Sequence, residues 1–506
     1  MYIIPGGDPV HPPETYTEVR SLSGAAASMP TVPQYFENNS IYPTPADWKH
    51  PLSFQRQPVK IIYPKAQIKR IGKTRVFYLP DRELPMIDLT ILVKTGETDL
   101  PDAKTGLNNL INSSLIRGGT LNYSPTELAL ALDENAIQLS ISVGEEDSVI
   151  HLSVIKNDWE KGLAILEEVL TRPAFDSRVL EVAKSQEIVA LQRQSDSAQT
   201  AAMREGMIWH FKEHPYGRDP LLGLETIPKI TSHDLKRFLE DYFIPSNMVV
   251  AVAGDITKQK ALAGLKKLFA ALPKGKAPER IITDPKKTPP ILTLVHKPGQ
   301  IQSQVILLLP GIKRTHPGYW KANLLMNIFG GNDSLMYKRL RDDLGLVYSA
   351  GFFQTYKWHA GILAGYIGCK GDQTSTAILE TLKIMKSLRK EIPPQDLELK
   401  RLDALNSFVF NVDTPVELVE VYGRYHMRGE PLDTLERIQE AYIGASKEDL
   451  LRLAAQLLDP ANIQIFIVAD KKIAVKGKQG DQITLEEDLT QLAQHLGLPY
   501  KEVKLR

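Results

Sequence analysis

The feature that most constrains this chain is an internal repeat. The segment "TSHDLKRFLEDYFIPSNMVVAVAGD" ends at Asp255, and "SKEDLLRLAAQLLDPANIQIFIVAD" ends at Asp470. A shift of 215 positions lays Asp234 on Asp449, Leu235 on Leu450, Pro245 on Pro460, Asn247 on Asn462 and Asp255 on Asp470 without a gap. Each copy reads as a helix, a Pro-x-Asn turn and a buried strand. A weaker echo sets Gly118-Gly119 beside Gly330-Gly331. Two homologous lobes follow, at 59–275 and 291–475, and 506 residues are enough for more than one core. A polar, proline-broken linker at 276–290 separates them. Residues 1–58 are a proline-rich N-terminal arm, and 476–506 form a C-terminal tail.

Local patterning fills in the first lobe. "TRVFYLPD" and "MIDLTILVKTGE" read as strands, the second turning Ile87, Leu89, Ile91 and Val93 inward. Helices are expected at 105–117 and 124–135, the latter opened by Ser124-Pro125 with Glu127. "AIQLSISVGEEDSVIHLSVI" reads as a hairpin, "DWEKGLAILEEVLTRP" as an amphipathic helix stopped by Pro173, and 176–212 as one long helix. Strands and helices mix without strict βαβ alternation. The fold class is therefore α+β: two duplicated lobes, each a mixed, mainly antiparallel sheet with helices packed on one face.

Composition narrows the function. A net charge of +1 supplies no basic field for nucleic acid. No run reaches the roughly 18–20 apolar residues of a membrane span. The single cysteine, Cys369, excludes an intramolecular disulfide and a cysteine-based zinc site. Residues 1–20 show no secretion signal. A periplasmic or other extracytoplasmic location is the expectation if a leader precedes this numbering, and a cytoplasmic one otherwise.

Three stretches could carry chemistry. "HFKEH", 210–214, matches H-x-x-E-H read as an inverted zinc motif, with His210 and His214 as ligands and Glu213 as base. Pro215 disfavours helical geometry at His214, so a helix end with solvated or capping histidines is the competing reading. "LMYKRLRDDLGLVYSAG", 335–351, sets Arg341 on the last turn of a helix and Tyr348 at the entry of a strand, with Gly345 between. A guanidinium can grip a peptide carbonyl and a phenol can donate to an oxyanion. The alternative is a surface Arg341 paired with Asp342 or Asp343. The third stretch, "TGLNNLINSSLIRGGT" at 105–120, has the outline of a zinc-peptidase helix but no histidine, glutamate or cysteine. "NIFGGNDS" lacks the Lys-Ser/Thr of a phosphate-binding loop.

Together these residues resemble the M16 metallopeptidase family (pitrilysin, insulinase, mitochondrial processing peptidase) over 59–475. The family zinc helix reads like G-L-x-H-F-L-E-H-x-L-x-x-G-T. Against it, Asn109 stands at the first histidine, Asn112 at the glutamate base and Ser113 at the second histidine. The third family ligand, a glutamate roughly 77 residues on, falls near Ala190, with Glu187 the closest acid. The resemblance therefore implies a degenerate zinc helix at 106–117 and no cofactor bound by this chain. It makes "HFKEH" incidental, because "HPYG" resembles a family loop. The family segment ending L-R-x-x-x-x-L-x-Y-S matches "FGGNDSLMYKRLRDDLGLVYS", which maps the substrate-orienting pair onto Arg341 and Tyr348.

What the resemblance implies is a subunit of the bacterial heterodimeric kind. Its partner would be an M16 homologue with an intact HxxEH helix and the zinc. The pair would cut extended peptides, with Arg341 and Tyr348 acting at the partner's metal, and this chain would be inactive alone. Two alternatives stay open: a non-catalytic scaffold or peptide-binding homologue, and a self-sufficient metalloprotease using 210–214.

Overall fold

A computed structural model describes residues 60–278, 282–477 and 480–505; the N-terminal arm lies outside the described residues. The first lobe supplies strands β1 (Gln67–Ile71), β2 (Thr74–Pro80), β3 (Met86–Val93), β4 (Gln138–Val143), β5 (Ser148–Ile155) and β6 (Met248–Gly254). Its helices are α1 (Leu107–Ser114), α2 (Pro125–Asp133), α3 (Trp159–Thr171), α4 (Ser177–Arg193), α5 (Ala198–Phe211), the short α6 (Gly223–Thr226), α7 (Ser232–Tyr242) and α8 (Lys258–Ala271). The second lobe begins with β7 (Ile291–His296), β8 (Gln302–Pro310), β9 (Val347–Tyr356), β10 (Gly361–Lys370) and β11 (Gln464–Ala469). Two short strands, β12 (Ala474–Lys476) and β13 (Gln482–Thr484), form a separate ribbon, and β14 (Tyr500–Lys504) comes last. Its helices are α9 (Tyr319–Gly330), the single turn α10 (Leu335–Tyr337), α11 (Thr374–Leu388), α12 (Pro394–Phe408), α13 (Pro415–Met427), α14 (Thr434–Ile443), α15 (Lys447–Leu457) and α16 (Leu485–Leu496).

The duplication is topological as well as sequential. The first sheet runs β1-β2-β6-β3-β5-β4 and the second β14-β7-β11-β8-β10-β9. In both, the strand after the Pro-x-Asn turn lies parallel to one neighbour (β2∥β6, β7∥β11) and antiparallel to the other. The repeated residues have repeated jobs. Thr231 with Asp234, and Ser446 with Asp449, form capping boxes at the start of α7 and α15, each satisfying orphan N–H groups at a helix end. Pro245–Asn247 and Pro460–Asn462 are matching single turns.

The outermost strands break the symmetry. β1 pairs antiparallel with β2 as a hairpin, whereas β14 arrives from the C-terminus and pairs parallel with β7. The segment 476–506 is thus no detached tail: β14 completes the second sheet, and Leu485, Leu489 and Leu492 of α16 join its core. Nor is the linker detached. Thr288 donates to the His210 carbonyl (3.2 Å), and Lys313 pairs with Asp284 (2.5 Å).

The expected long helix over 176–212 is two helices. Ser197 accepts from the Thr200 amide and starts α5 afresh, while Lys297 of the second lobe donates to the Ser195 and Asp196 carbonyls (3.0 and 2.6 Å). The break lets α4 stay with the first lobe while α5 crosses to the second sheet. There Ala201, Ala202 and Phe211 pack on Ile306, Leu308 and Phe466. Reciprocally, α13 leaves the second lobe and packs on the first sheet, against β2, β3 and β6. Each sheet therefore carries its own helices on one face, as expected, and a helix from the other lobe on the opposite face. This explains why β3 is buried beyond its alternating set: Leu92, on the face opposite Ile91, lies under α13 and is 0% exposed.

Both exchanged helices meet their sheet through a glycine. A Cβ on Gly206 would lie 2.9 Å from Leu308 Cδ1 and 3.2 Å from Phe466 Cδ2; one on Gly423 would lie 3.3 Å from Leu92 Cδ1. Helix and sheet approach too closely for a larger side chain. Gly206→Leu should therefore destabilise the protein by about 1–3 kcal/mol through overpacking. A lowered urea midpoint relative to Gln199→Leu, at an exposed position of the same helix, checks this.

Candidate functional site

Helix α1 buries Leu107, Leu110 and Ile111 against the first sheet and turns Asn109, Asn112 and Ser113 the other way. All three polar side chains are engaged. Asn109 Nδ2 donates to Glu187 Oε1 on α4 at 2.6 Å. Ser113 Oγ donates back to the Asn109 carbonyl at 2.6 Å. Asn112 makes a two-bond pair with one residue of β4: Nδ2 donates to the Val143 carbonyl (3.1 Å) and Oδ1 accepts from the Val143 amide (2.6 Å).

That pair has a consequence for the sheet edge. β4 is the outermost strand. The turn bond from the Gly144 amide to the Asp147 carbonyl fixes which residues face β5, and by alternation Val143, Ile141 and Leu139 direct their amides and carbonyls outward. The Asn112 amide takes up the outward groups of Val143 as an added peptide unit would.

The register between α1 and α4 puts Glu187, not Ala190, opposite Asn109; Ala190 lies exposed, about one helical turn further along. Counting along the chain cannot see how two helices are set against each other, so spacing alone did not show that Glu187 is the residue facing Asn109. Nearby, burial pushes the Glu97 carboxyl above its ordinary range, opposed by Arg218 at 3.8 Å and reinforced by Glu145 and Glu187. The donor set does not fit zinc. One carboxylate, two amides and a hydroxyl lack the imidazoles that zinc prefers, and both atoms of the Asn112 amide are already bonded. Asn112 cannot accept a proton from water either. Among the described residues no group of three His, Cys, Asp or Glu side chains is arranged to hold a metal ion.

The structure separates the histidines of "HFKEH". Helix α5 ends at Phe211, Lys212 adopts φ +46°, and His214 is extended ahead of Pro215. His210 Nδ1 donates to Gln464 Oε1 (2.9 Å), whose amide nitrogen in turn donates to Thr288 Oγ1 (2.8 Å). His214 Nε2 donates to the Thr283 carbonyl (3.0 Å), and its Nδ1 accepts from the Tyr216 amide (3.2 Å). The lone pair a metal would need on His214 is already taken. Glu213 points to solvent. Burial holds both imidazoles below their usual range, which suits neutral rings used as structural bridges.

Arg341 and Tyr348 are brought together. Ser334 caps the turn α10, which continues as a wide π-helical turn over Lys338–Asp343. Gly345, at φ +59°, ends it, with the Gly345 amide on the Arg341 carbonyl (3.1 Å) and the Leu346 amide on the Leu340 carbonyl (2.8 Å). The register with β10 passes from Val347 to Ser349, so Tyr348 is the extra residue of a bulge in β9. Arg341 Nη1 donates to the Tyr348 carbonyl (3.2 Å), and its guanidinium lies 5.2 Å from the Tyr337 ring. Asp343 pairs instead with Arg339 (3.5 Å). Tyr348 is 49% exposed and, with Arg341, Gly330 and Gly331, lines a cavity of about 410 Å³ beside the β9 edge.

Two features of the site were not read from the sequence: the seal on β4 and the bulge at Tyr348. The seal makes a direct prediction. Asn112→Ala should cost about 1–2 kcal/mol and expose the Val143 amide, raising its hydrogen-exchange rate at least roughly tenfold while amides on β3 keep theirs.

Comparison with known proteins places this geometry. A family model described as the Peptidase M16 inactive domain matches residues 229–402. A Helicobacter pylori protein named "Non-peptidase homolog YmxG" is 26% identical over 416 residues, spanning 79% of this chain and 93% of that protein. The Saccharomyces cerevisiae protein "Mitochondrial-processing peptidase subunit beta" is 20% identical over 359 residues, 66% of this chain and 76% of its own length. The crystal structure of a peptidase M16 inactive domain from Pseudomonas fluorescens superposes with a TM-score of 0.74 at 22% identity, covering 80% of this chain and 98% of that one. With its duplicated sheets and a first helix that carries no metal ligands, the chain is similar to the M16 peptidase family, matching its inactive-domain model over 229–402, and its zinc motif is degenerate.

Proposed function

We propose that this chain is the non-zinc subunit of a two-chain M16 endopeptidase, and that it orients peptide substrate with Arg341 and Tyr348. The observation that carries the reading is a contrast within one molecule. The first lobe has lost its metal ligands, and Asn112 closes the end of its edge strand. The second lobe keeps an arginine and a tyrosine joined at a bulge, with the tyrosine half exposed at a cavity. The name of the yeast relative makes that protein one subunit of a processing peptidase.

On this reading the partner is a homologue that carries an intact H-x-x-E-H helix and its zinc, and the peptide pairs with the partner's open sheet edge. Arg341 is held over Tyr337 and tied to the Tyr348 carbonyl, so its remaining donors are aimed rather than swinging. They can grip a backbone carbonyl of the substrate. The Tyr348 hydroxyl donates a hydrogen bond to the oxygen that gains charge as the amide is attacked.

A scaffold reading is favoured by one observation, the printed name "non-peptidase homolog" of the Helicobacter relative. One variant separates the two. In the reconstituted complex, Tyr348→Phe should lower kcat for an unfolded peptide by about 10²-fold, the scale of a lost oxyanion donor, while the complex still elutes intact. Unchanged turnover would remove the orienting role and leave the scaffold.

A further inference from the structure

A second cavity, of about 400 Å³, lies between α9, α12, α13 and α14, and it has a distinctive wall. Arg314, Arg424 and Arg428 all line it, together with Trp320, Tyr425 and Tyr442, and among the described residues no carboxylate does. The acids that pair with these arginines stand outside the lining. Arg314 Nε donates to Glu430 (2.8 Å), and Arg424 bonds Glu420 through both Nε (2.9 Å) and Nη2 (2.7 Å). The Asp147 carboxylate, on the β4–β5 turn, forms longer ion pairs with Arg424 Nη1 (3.8 Å) and Arg428 Nη2 (3.7 Å).

The guanidiniums are held in place. Arg314 is stacked 4.6 Å from the Trp320 ring and 5.7 Å from the Tyr425 ring, with its side chain only 10% exposed. Such a wall is pre-organised for a planar anion, since arginine forks match a carboxylate with two parallel bonds. The aromatic rings supply an apolar flank for a methylene stem.

The cavity also has a neighbour. Asn327, on α9, lines both this space and the cavity that holds Arg341 and Tyr348. We propose that the three-arginine cavity binds a carboxylate carried by the extended peptide, an acidic side chain or a free C-terminus. It would thereby give the complex a preference for acidic peptides. This rests on the peptide-orienting reading above and adds a substrate class to it.

The test uses the full chain and three short peptides in fluorescence anisotropy at moderate salt. All three have blocked N-termini. One has an internal Glu and a blocked C-terminus, one replaces that Glu with Gln, and one has the Gln with a free C-terminal carboxylate. At least one carboxylate peptide should bind about tenfold more tightly than the doubly blocked Gln peptide, and which one does so identifies the source. Glutarate should compete for that preference without any substitution in the protein. Arg424→Gln should reduce it to about unity, and Arg428→Gln likewise. Equal binding of all three peptides would overturn the carboxylate site and leave the peptide reading standing. A preference that survives both variants would overturn its assignment to this cavity. Binding of none would overturn the peptide-held carboxylate, and the Tyr348→Phe turnover assay would then decide the proposed function separately.

Discussion

The contact on which the rest of this structure depends is the exchange of helices between lobes. α5 lies on the second sheet and α13 on the first. Burying a side chain such as Phe211 or Phe466 contributes about 1.5–3 kcal/mol each, so the exchanged faces add a core that neither lobe has alone. The glycines at the two contacts, Gly206 and Gly423, set how closely helix and sheet approach. Each lobe thus completes the other, and the two sheets are held in a fixed relation.

That relation brings turns and side chains of different lobes into contact. The β4–β5 turn of the first lobe meets the β9–β10 turn of the second: Glu145 pairs with Lys357, and Glu146 accepts from the Trp358 amide at 2.9 Å. Asp147 of the same turn faces Arg424 and Arg428. The degenerate helix α1 is tied to β4 just before this turn, through Asn112. On the proposed reading, a first lobe without metal ligands would serve as the support on which the second lobe's arginines and Tyr348 are arranged.

Much of this was legible in the sequence because repetition and capping are local. The 215-residue shift found two helices, two Pro-x-Asn turns and two central strands, and these recur in the same topological places; the aligned Asp234 and Asp449 prove to be the acids of two capping boxes. The fully apolar "MVVAVAG" is buried along its whole length, as a strand covered on both faces must be. Helix exchange was not legible. Residues 176–212 carry a continuous helical pattern, and only the Ser197 cap, together with a lysine from another lobe, decides that the chain breaks there. For the same reason Thr90 and Leu92 read as the outer face of a half-buried strand, although both are buried. Glu187 was named as the closest acid, but its pairing with Asn109 could not be read, because interhelical register is a tertiary quantity. The end of the second sheet escaped because β14 pairs across some 200 residues. The repeat's terminal acids also diverge: Asp255 pairs with Lys156, whereas Asp470 accepts from the Gly299 and Lys472 amides.

The central claim is that this polypeptide has no metal chemistry of its own and lends its second lobe to a chain that does. Metal analysis by mass spectrometry, on the chain purified alone and on the complex with its zinc-bearing homologue, tests it most directly. The account predicts stoichiometric zinc in the complex and none above background in the lone chain. Stoichiometric zinc retained by the lone chain through dialysis would contradict it.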